Sequence, residues 1–452
     1  MTMRLLQDCL PNSLIAALLF FSLVSTASTS ELTIIDQQRV VQIPANKLTS
    51  ANGERLNNLS LVAISNGQLK PIPFQFDELD VEGFVYFKSS MVDIDGYISV
   101  LDGNDKLLFM LLDAGERKPA NLKVDGKLLA EITVQTSMGE SKYVYLVKDS
   151  LLRSDKNYVR YSEELGRVET DHYTLQVDPE NAMNWHRFTW DEYTGINKGD
   201  PLDTMKIRVS AGVGTPLTRL TLSNKQMVAE PLESKSGPVR AITAYKLTAI
   251  VLGIPFLSMN MQIRETPYNI TYDVRLIMPK MRRKMLFSPS LTLTLDGNQL
   301  YGTEIRTALG PKAPAIVDGE WSAFEQQLIE KGVNNDDNWI WLHTGDNFDI
   351  VSILNVPDRR LPLGFFLVDD EKKEDKPERY EGQLPNIGYL IKDLPSEGLF
   401  YIQVNLFFSN NLGGIAPEKY VALMKKQPDF KINAYWAASA SRLKKSPQGS
   451  AH

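Results

Sequence analysis

The densest mixture of aromatic and ionisable side chains in this chain is the run Trp185-His186-Arg187-Phe188-Thr189-Trp190-Asp191-Glu192-Tyr193. Aromatic faces stack on sugar rings, and a histidine, an arginine and a tyrosine together can neutralise and deprotonate a uronic acid in an eliminative cleavage. If the chain is an enzyme, a polysaccharide lyase or glycoside hydrolase, its catalytic candidates are His186, Arg187, Asp191 and Tyr193. If it only binds, Trp185, Trp190 and Tyr193 line the ligand site. The plainer expectation is that Trp185, Phe188 and Trp190 are sandwich core, with their polar neighbours at a strand edge.

Two acidic groups come next. Asp93, Asp95, Asp102, Asn104 and Asp105 offer the clustered oxygens that a hard cation such as calcium wants, although Asp and Asn beside Gly are also what turns select. We read them as turn residues, with a structural calcium as the alternative cofactor. Asp77, Glu78, Asp80 and Glu82 would suit a carboxylate pair in glycoside hydrolysis, and are read as a solvated loop. His172, His186 and His343 follow no metal-ligand spacing; there is no HExxH, GxSxG, GxGxxG or Walker motif, so zinc hydrolase, serine hydrolase and nucleotide-binding signatures are absent from the sequence. Lys280, Arg282, Arg283 and Lys284 form the one basic cluster, placed to meet an anionic lipid or an envelope partner.

The elements that must position these groups are mostly strands. Leu59–Ile64 alternates, Lys70–Phe76 is extended because its two prolines forbid a helix, and Thr33–Ile43, Val81–Phe87 and Lys127–Thr136 read likewise. Leu107–Leu112 is continuously apolar, which predicts a strand buried on both faces. Longer strands follow over 205–211, 217–222, 239–252, 256–265, 268–277 and 291–295, and shorter ones over 339–342, 348–356, 364–368, 388–391 and 399–408. The apolar spacing predicts helices over 321–331 and 417–425. Residues 369–379 read as a solvated charged loop.

The expected fold class is therefore mainly β: tandem antiparallel β-sandwiches with a small mixed α+β carboxy-terminal region. The expected divisions are 28–152, 153–312 and 313–441, with a polar tail at 442–452. Residues 1–27 read as a cleaved secretory signal peptide: Arg4, the apolar run Leu14–Val24, then Ser25 and Ala27. The single cysteine, Cys9, precedes the apolar run, so the mature chain holds no thiol and must fold by its core alone, which suits a periplasm, with secretion as the alternative. A net charge of −6 leaves no footprint for nucleic acid.

The segments IPFQFDELD, DGNDKLLFMLLDAG, SGPVRAITAYKL with LGIPF, and RLIMPKM resemble a loosely defined group of exported, β-rich bacterial proteins of unknown activity. The GPVR-type strand is also similar to strands in large sugar-processing β-sandwiches. The resemblance implies export and a β-rich fold, and carries over no catalytic residue. Taken together, the residues point to a periplasmic binding or accessory protein for a carbohydrate or an apolar, lipid-like ligand. The alternatives are a carbohydrate-active enzyme and a partner of an envelope export or lipid-trafficking system.

Overall fold

The structure, a computed structural model, describes residues 32–435 except 91, 198, 278–282, 311–312, 374–375, 381–383, 395–398 and 413. The expected signal peptide, the expected polar tail, Lys280 and Arg282 lie outside the described residues. The chain is 50% strand and 10% helix, in antiparallel sheets, as the alternating patterns require.

Two large sheets form the main sandwich. One has nine strands, with Met227–Ser236, Ala241–Val251, Ile254–Thr266, Asn269–Ile277 and Leu399–Ser409 running side by side, then Asp349–Asn355, Ile340–His343, Glu304–Thr307 and Ala315–Ile316. The other has six, centred on Leu202–Val213, Leu286–Gly297 and Asn386–Ile391. Strand alternation decides what meets between them: Met205 and Ile207 join the core while Lys206 faces away, and Ile402, Val404 and Leu406 join it while Gln403 and Asn405 face out.

The division expected at 312/313 falls inside these sheets. Asn269–Ile277 pairs along its whole length with Leu399–Ser409, and Leu286–Gly297 pairs with Asn386–Ile391. Long strands with bare edges must find a partner, and the last third of the chain supplies it. Phe430–Ala434 likewise pairs with Lys127–Gln135, so the carboxy-terminal end completes a five-stranded sheet of the amino-terminal unit.

That unit packs the five strands against a three-stranded sheet of Val40–Pro44, Lys106–Met110 and Phe74–Asp77. Leu107 to Leu111 are all fully buried. Leu107 and Phe109 lie in the amino-terminal core while Leu108 and Met110 lie in the main one, so the continuous apolar run serves two cores at once, as expected.

Two expected strands differ. Thr33 starts a short helix, Ile34–Gln38, its hydroxyl accepting the Asp36 N–H at 3.2 Å; a local cap outcompetes the β-branched run until Val40. Val81–Phe87 forms one isolated bridge, Val85 with Leu79, instead of a regular strand. It is held on the nine-stranded sheet by the Gln262 amide, which accepts from Val85 N–H at 3.1 Å and donates to Val85 C=O at 2.7 Å. Helices Ala323–Glu330 and Pro417–Lys425 form where the spacing places them, the first with a Ser322–Glu325 capping box. Among the described residues no helix is long and apolar enough to cross a membrane.

Candidate functional site

Strand Asn181–Trp190 carries most of the aromatic segment, and it splits the residues expected to act together. Trp185 and Trp190 are each 1% exposed, in a ring cluster with Phe188, Phe348 and Phe408 whose centroids lie 5.0–6.2 Å apart. The Trp185 indole N–H donates to Tyr272 Oη at 3.2 Å, and that of Trp190 to Asn410 Oδ1 at 2.9 Å. These are satisfied core groups. Tyr193 is buried against Phe348, and burial pushes its hydroxyl up to about 12. None of the three presents a platform to a ligand.

His186 and Arg187 are both exposed, because a register shift between Trp185 and Arg187 breaks the alternation there. His186 stands 3.8 Å from Asp178, and Asp191 is exposed in the turn beyond the strand. The four catalytic candidates therefore do not converge.

The acidic groups act on the backbone. Asp102 accepts from Tyr97 and Asn104 N–H at 2.8 and 3.0 Å, and Asp105 from Asp102 N–H at 2.9 Å. Asp80 takes the N–H groups of Glu82 and Phe84, both at 2.9 Å. Burial pushes the Asp105 carboxyl up to about 7. Asp93, Asp95, Asp102 and Asp105 form no converging set; among the described residues the one such set is Asp203, Asp296 and Glu378. Lys206, 1% exposed, already supplies the cation there, bridging Asp296 and Glu378. Arg379 adds contacts to Asp200 and Asp203 at 3.3 Å. The charged stretch 369–379, expected to be solvated, is thus pinned at its end over a buried lysine.

What does converge is apolar. Between the two large sheets lies a cavity of about 140 Å³, open at one end. Met205, Ile207, Val209, Leu291 and Leu293 line it from one sheet; Leu247, Ala249, Met259, Met261, Ile402 and Val404 line it from the other. Tyr272 is the one lining residue with a polar side-chain atom, and that hydroxyl already receives Trp185. Six methionines, Met183, Met205, Met227, Met259, Met261 and Met285, contribute. Their unbranched thioethers re-pack around different shapes.

Exposure along the lining locates the mouth. Met205 and Met227 are buried, Val213, Val251 and Phe256 half-buried, and Met285 is 52% exposed. Beyond them the loop tips carry Leu217 and Leu252, each 95% exposed, and Ile254, 69% exposed. Arg219, Lys284 and Lys392 stand exposed at this end. Arg283 donates to Leu286 C=O at 2.9 Å and Leu394 C=O at 3.2 Å; both leucines line the cavity. Half of the expected basic cluster therefore borders the opening.

The tip Leu252-Gly253 has both residues at positive φ, 50° and 79°. That is the geometry for which Asn-Gly is the ordinary choice, and leucine there is strained. A bulky apolar side chain held in a disfavoured conformation and pointed into water costs stability without helping the fold. The sequence pattern carries the strand through residue 252, whereas it ends at Val251, because φ is not written in residue types.

No protein-family model matches the chain, and no curated protein matches it. Among solved structures it is similar to an alpha-mannosidase from Enterococcus faecalis V583, at 8% identity over 89% of this chain and 45% of that one, TM-score 0.47. An alpha-N-acetylgalactosaminidase from Bifidobacterium bifidum gives 9% identity over 53% and 36%, TM-score 0.33. A putative aldose 1-epimerase from Escherichia coli K12 gives 10% over 53% and 97%, TM-score 0.31. The chain spans about half the length of the mannosidase it matches. All three carry carbohydrate-related names, and at this similarity none assigns a residue or an activity here.

Proposed function

We propose that the protein is an exported, periplasmic carrier for an amphiphile with an acyl-like tail, held between the two sheets with its head group at the basic rim. The observation that carries this reading is the cavity: a methionine-rich, apolar space with an open end. A space without free polar partners stays dry and favours apolar guests, and nothing in the lining would orient a sugar. The exposed Leu217, Leu252, Ile254 and Met285 with Arg219, Lys284 and Lys392 support loading at a lipid surface, apolar tips entering the interface and cations meeting anionic headgroups.

Ala249 faces the cavity from the nine-stranded sheet. Ala249→Trp fills space that is already empty, so it should weaken palmitate binding at least ten-fold, read by fluorescent fatty-acid displacement, while the thermal midpoint holds. Unchanged palmitate affinity in a folded variant would reject the carrier reading. Leu252→Asn relieves the strained tip and should leave stability equal or higher, yet lower co-flotation with phosphatidylglycerol vesicles several-fold. Equal flotation would remove the tip from the loading surface.

A further inference from the structure

A second opening lies on the far face of the nine-stranded sheet, and its chemistry is the reverse of the apolar cavity. We propose that this cleft binds a carbohydrate bearing a phosphate or carboxylate group. It is about 550 Å³, between the outer face of Ile254–Thr266, Asn269–Ile277 and Leu399–Ser409 and the amino-terminal strands Val40–Pro44 and Lys106–Met110. The same central strands thus turn Ile402 and Val404 to one space and Gln403 and Asn405 to the other.

The floor is a row of amides and hydroxyls. Thr271 Oγ1 lies 2.8 Å from Asn269 Oδ1 and 3.0 Å from Asn405 Oδ1, and Asn405 Nδ2 reaches Gln403 Oε1 at 3.4 Å. Such preset groups match the alternating donors and acceptors of sugar hydroxyls. Their mutual hydrogen bonds hold them in place along the cleft.

Charge adds the second half. Arg240 is ion-paired with the buried Asp77, and Arg264 with Asp273 at 2.7 Å. Lys106 is half-buried and lines the cleft, and its ammonium makes no hydrogen bond or ion pair among the described residues. Burial lowers its ammonium pKa first, and Arg240 and Arg264 lower it further, against the weaker opposite pull of Asp77 and Asp273. At the rim Lys425 donates to Asp336 C=O at 2.7 Å and Lys426 pairs with Asp429 at 2.9 Å, while the Asp336 carboxylate is drawn off by Arg359 at 3.1 Å. An anion seated at Lys106 would meet an unpaired ammonium in a cleft that Arg240 and Arg264 also line, their own charges held by Asp77 and Asp273.

The test is isothermal titration calorimetry of the purified protein with glucose 6-phosphate, galacturonate, glucose and inorganic phosphate. At least one charged sugar should bind more tightly than both glucose and phosphate. Lys106→Gln should weaken that sugar ten-fold or more with a thermal midpoint unchanged or raised, since no partner is lost. Asn405→Ala should weaken the sugar and leave phosphate alone. Absence of binding by both charged sugars at millimolar concentration overturns the proposal. So does phosphate binding as tightly as the sugar phosphate, or a Lys106→Gln variant that binds normally. Palmitate binding is measured in parallel and should not change, which keeps this cleft separate from the carrier reading.

Discussion

Replacing Glu265 with glutamine is expected to raise the thermal midpoint strongly at pH 8 and hardly at all near pH 4.5. Glu265 is 3% exposed in the main core, its Oε2 has no hydrogen-bond partner, and burial pushes its carboxyl up to about 8. Tyr173, Tyr245 and Tyr272 each have a hydroxyl pushed upward by burial first, and a charge on Glu265 would push them further. The folded pKa lies above the unfolded one, so the folded state holds a proton that the unfolded chain releases between pH 4.5 and 8. Stability therefore falls as pH rises through that window, by about 1.4 kcal/mol per unit. Below it both states are protonated; above it both are ionised, and the slope disappears.

Asp113, Asp203 and Asp369, each raised to about 6 chiefly by burial, add slope of the same sign between their ordinary value and pH 6. The wild-type protein should thus be more stable in mild acid than at pH 8. Calorimetric scans from pH 4.5 to 8 should show Glu265→Gln with the flatter profile and a gain on the order of 4 kcal/mol at the alkaline end. Parallel profiles for the two proteins would mean that Glu265 is solvated or paired in solution.

The fold was largely legible because burial writes itself as periodicity. The unbroken run at Leu107–Leu112 gave away a strand between two cores, though the strand ends at Met110 and a 3-10 turn follows, and the apolar spacing over 321–331 marked a helix. The pairing of Asn269–Ile277 with Leu399–Ser409 was not legible, since those strands are separated by more than a hundred residues and nothing local specifies the partner. The site was legible least. The patterns placed strands over 205–211, 239–252 and 256–265, but how completely two facing layers fill the space between them depends on every opposed side chain at once. Lys106 looked like any lysine beside a buried strand; only the positions of Arg240 and Arg264 make it unusual. The basic residues Arg283 and Lys284 were marked by composition, and their place beside the cavity mouth came from the strand that follows them.

The aromatic segment drew attention for a sound chemical reason, and Trp185→Ala decides between its two meanings. A ligand platform at the surface would lose affinity on truncation and keep its stability. Trp185 instead stacks on Phe188 at 5.6 Å and gives its N–H to Tyr272, so alanine leaves a cavity and a tyrosine without its donor. Losses of about 3–5 kcal/mol follow from truncating a buried tryptophan, a large part of the total stability of a domain. Urea unfolding should show that loss, with Trp185→Phe much less affected because most of the ring volume stays. His186→Ala, one position along and exposed, should cost less than about 0.5 kcal/mol. If Trp185→Ala unfolds at the wild-type urea concentration but fails to bind any ligand, the indole belongs to a site after all and the core assignment is wrong.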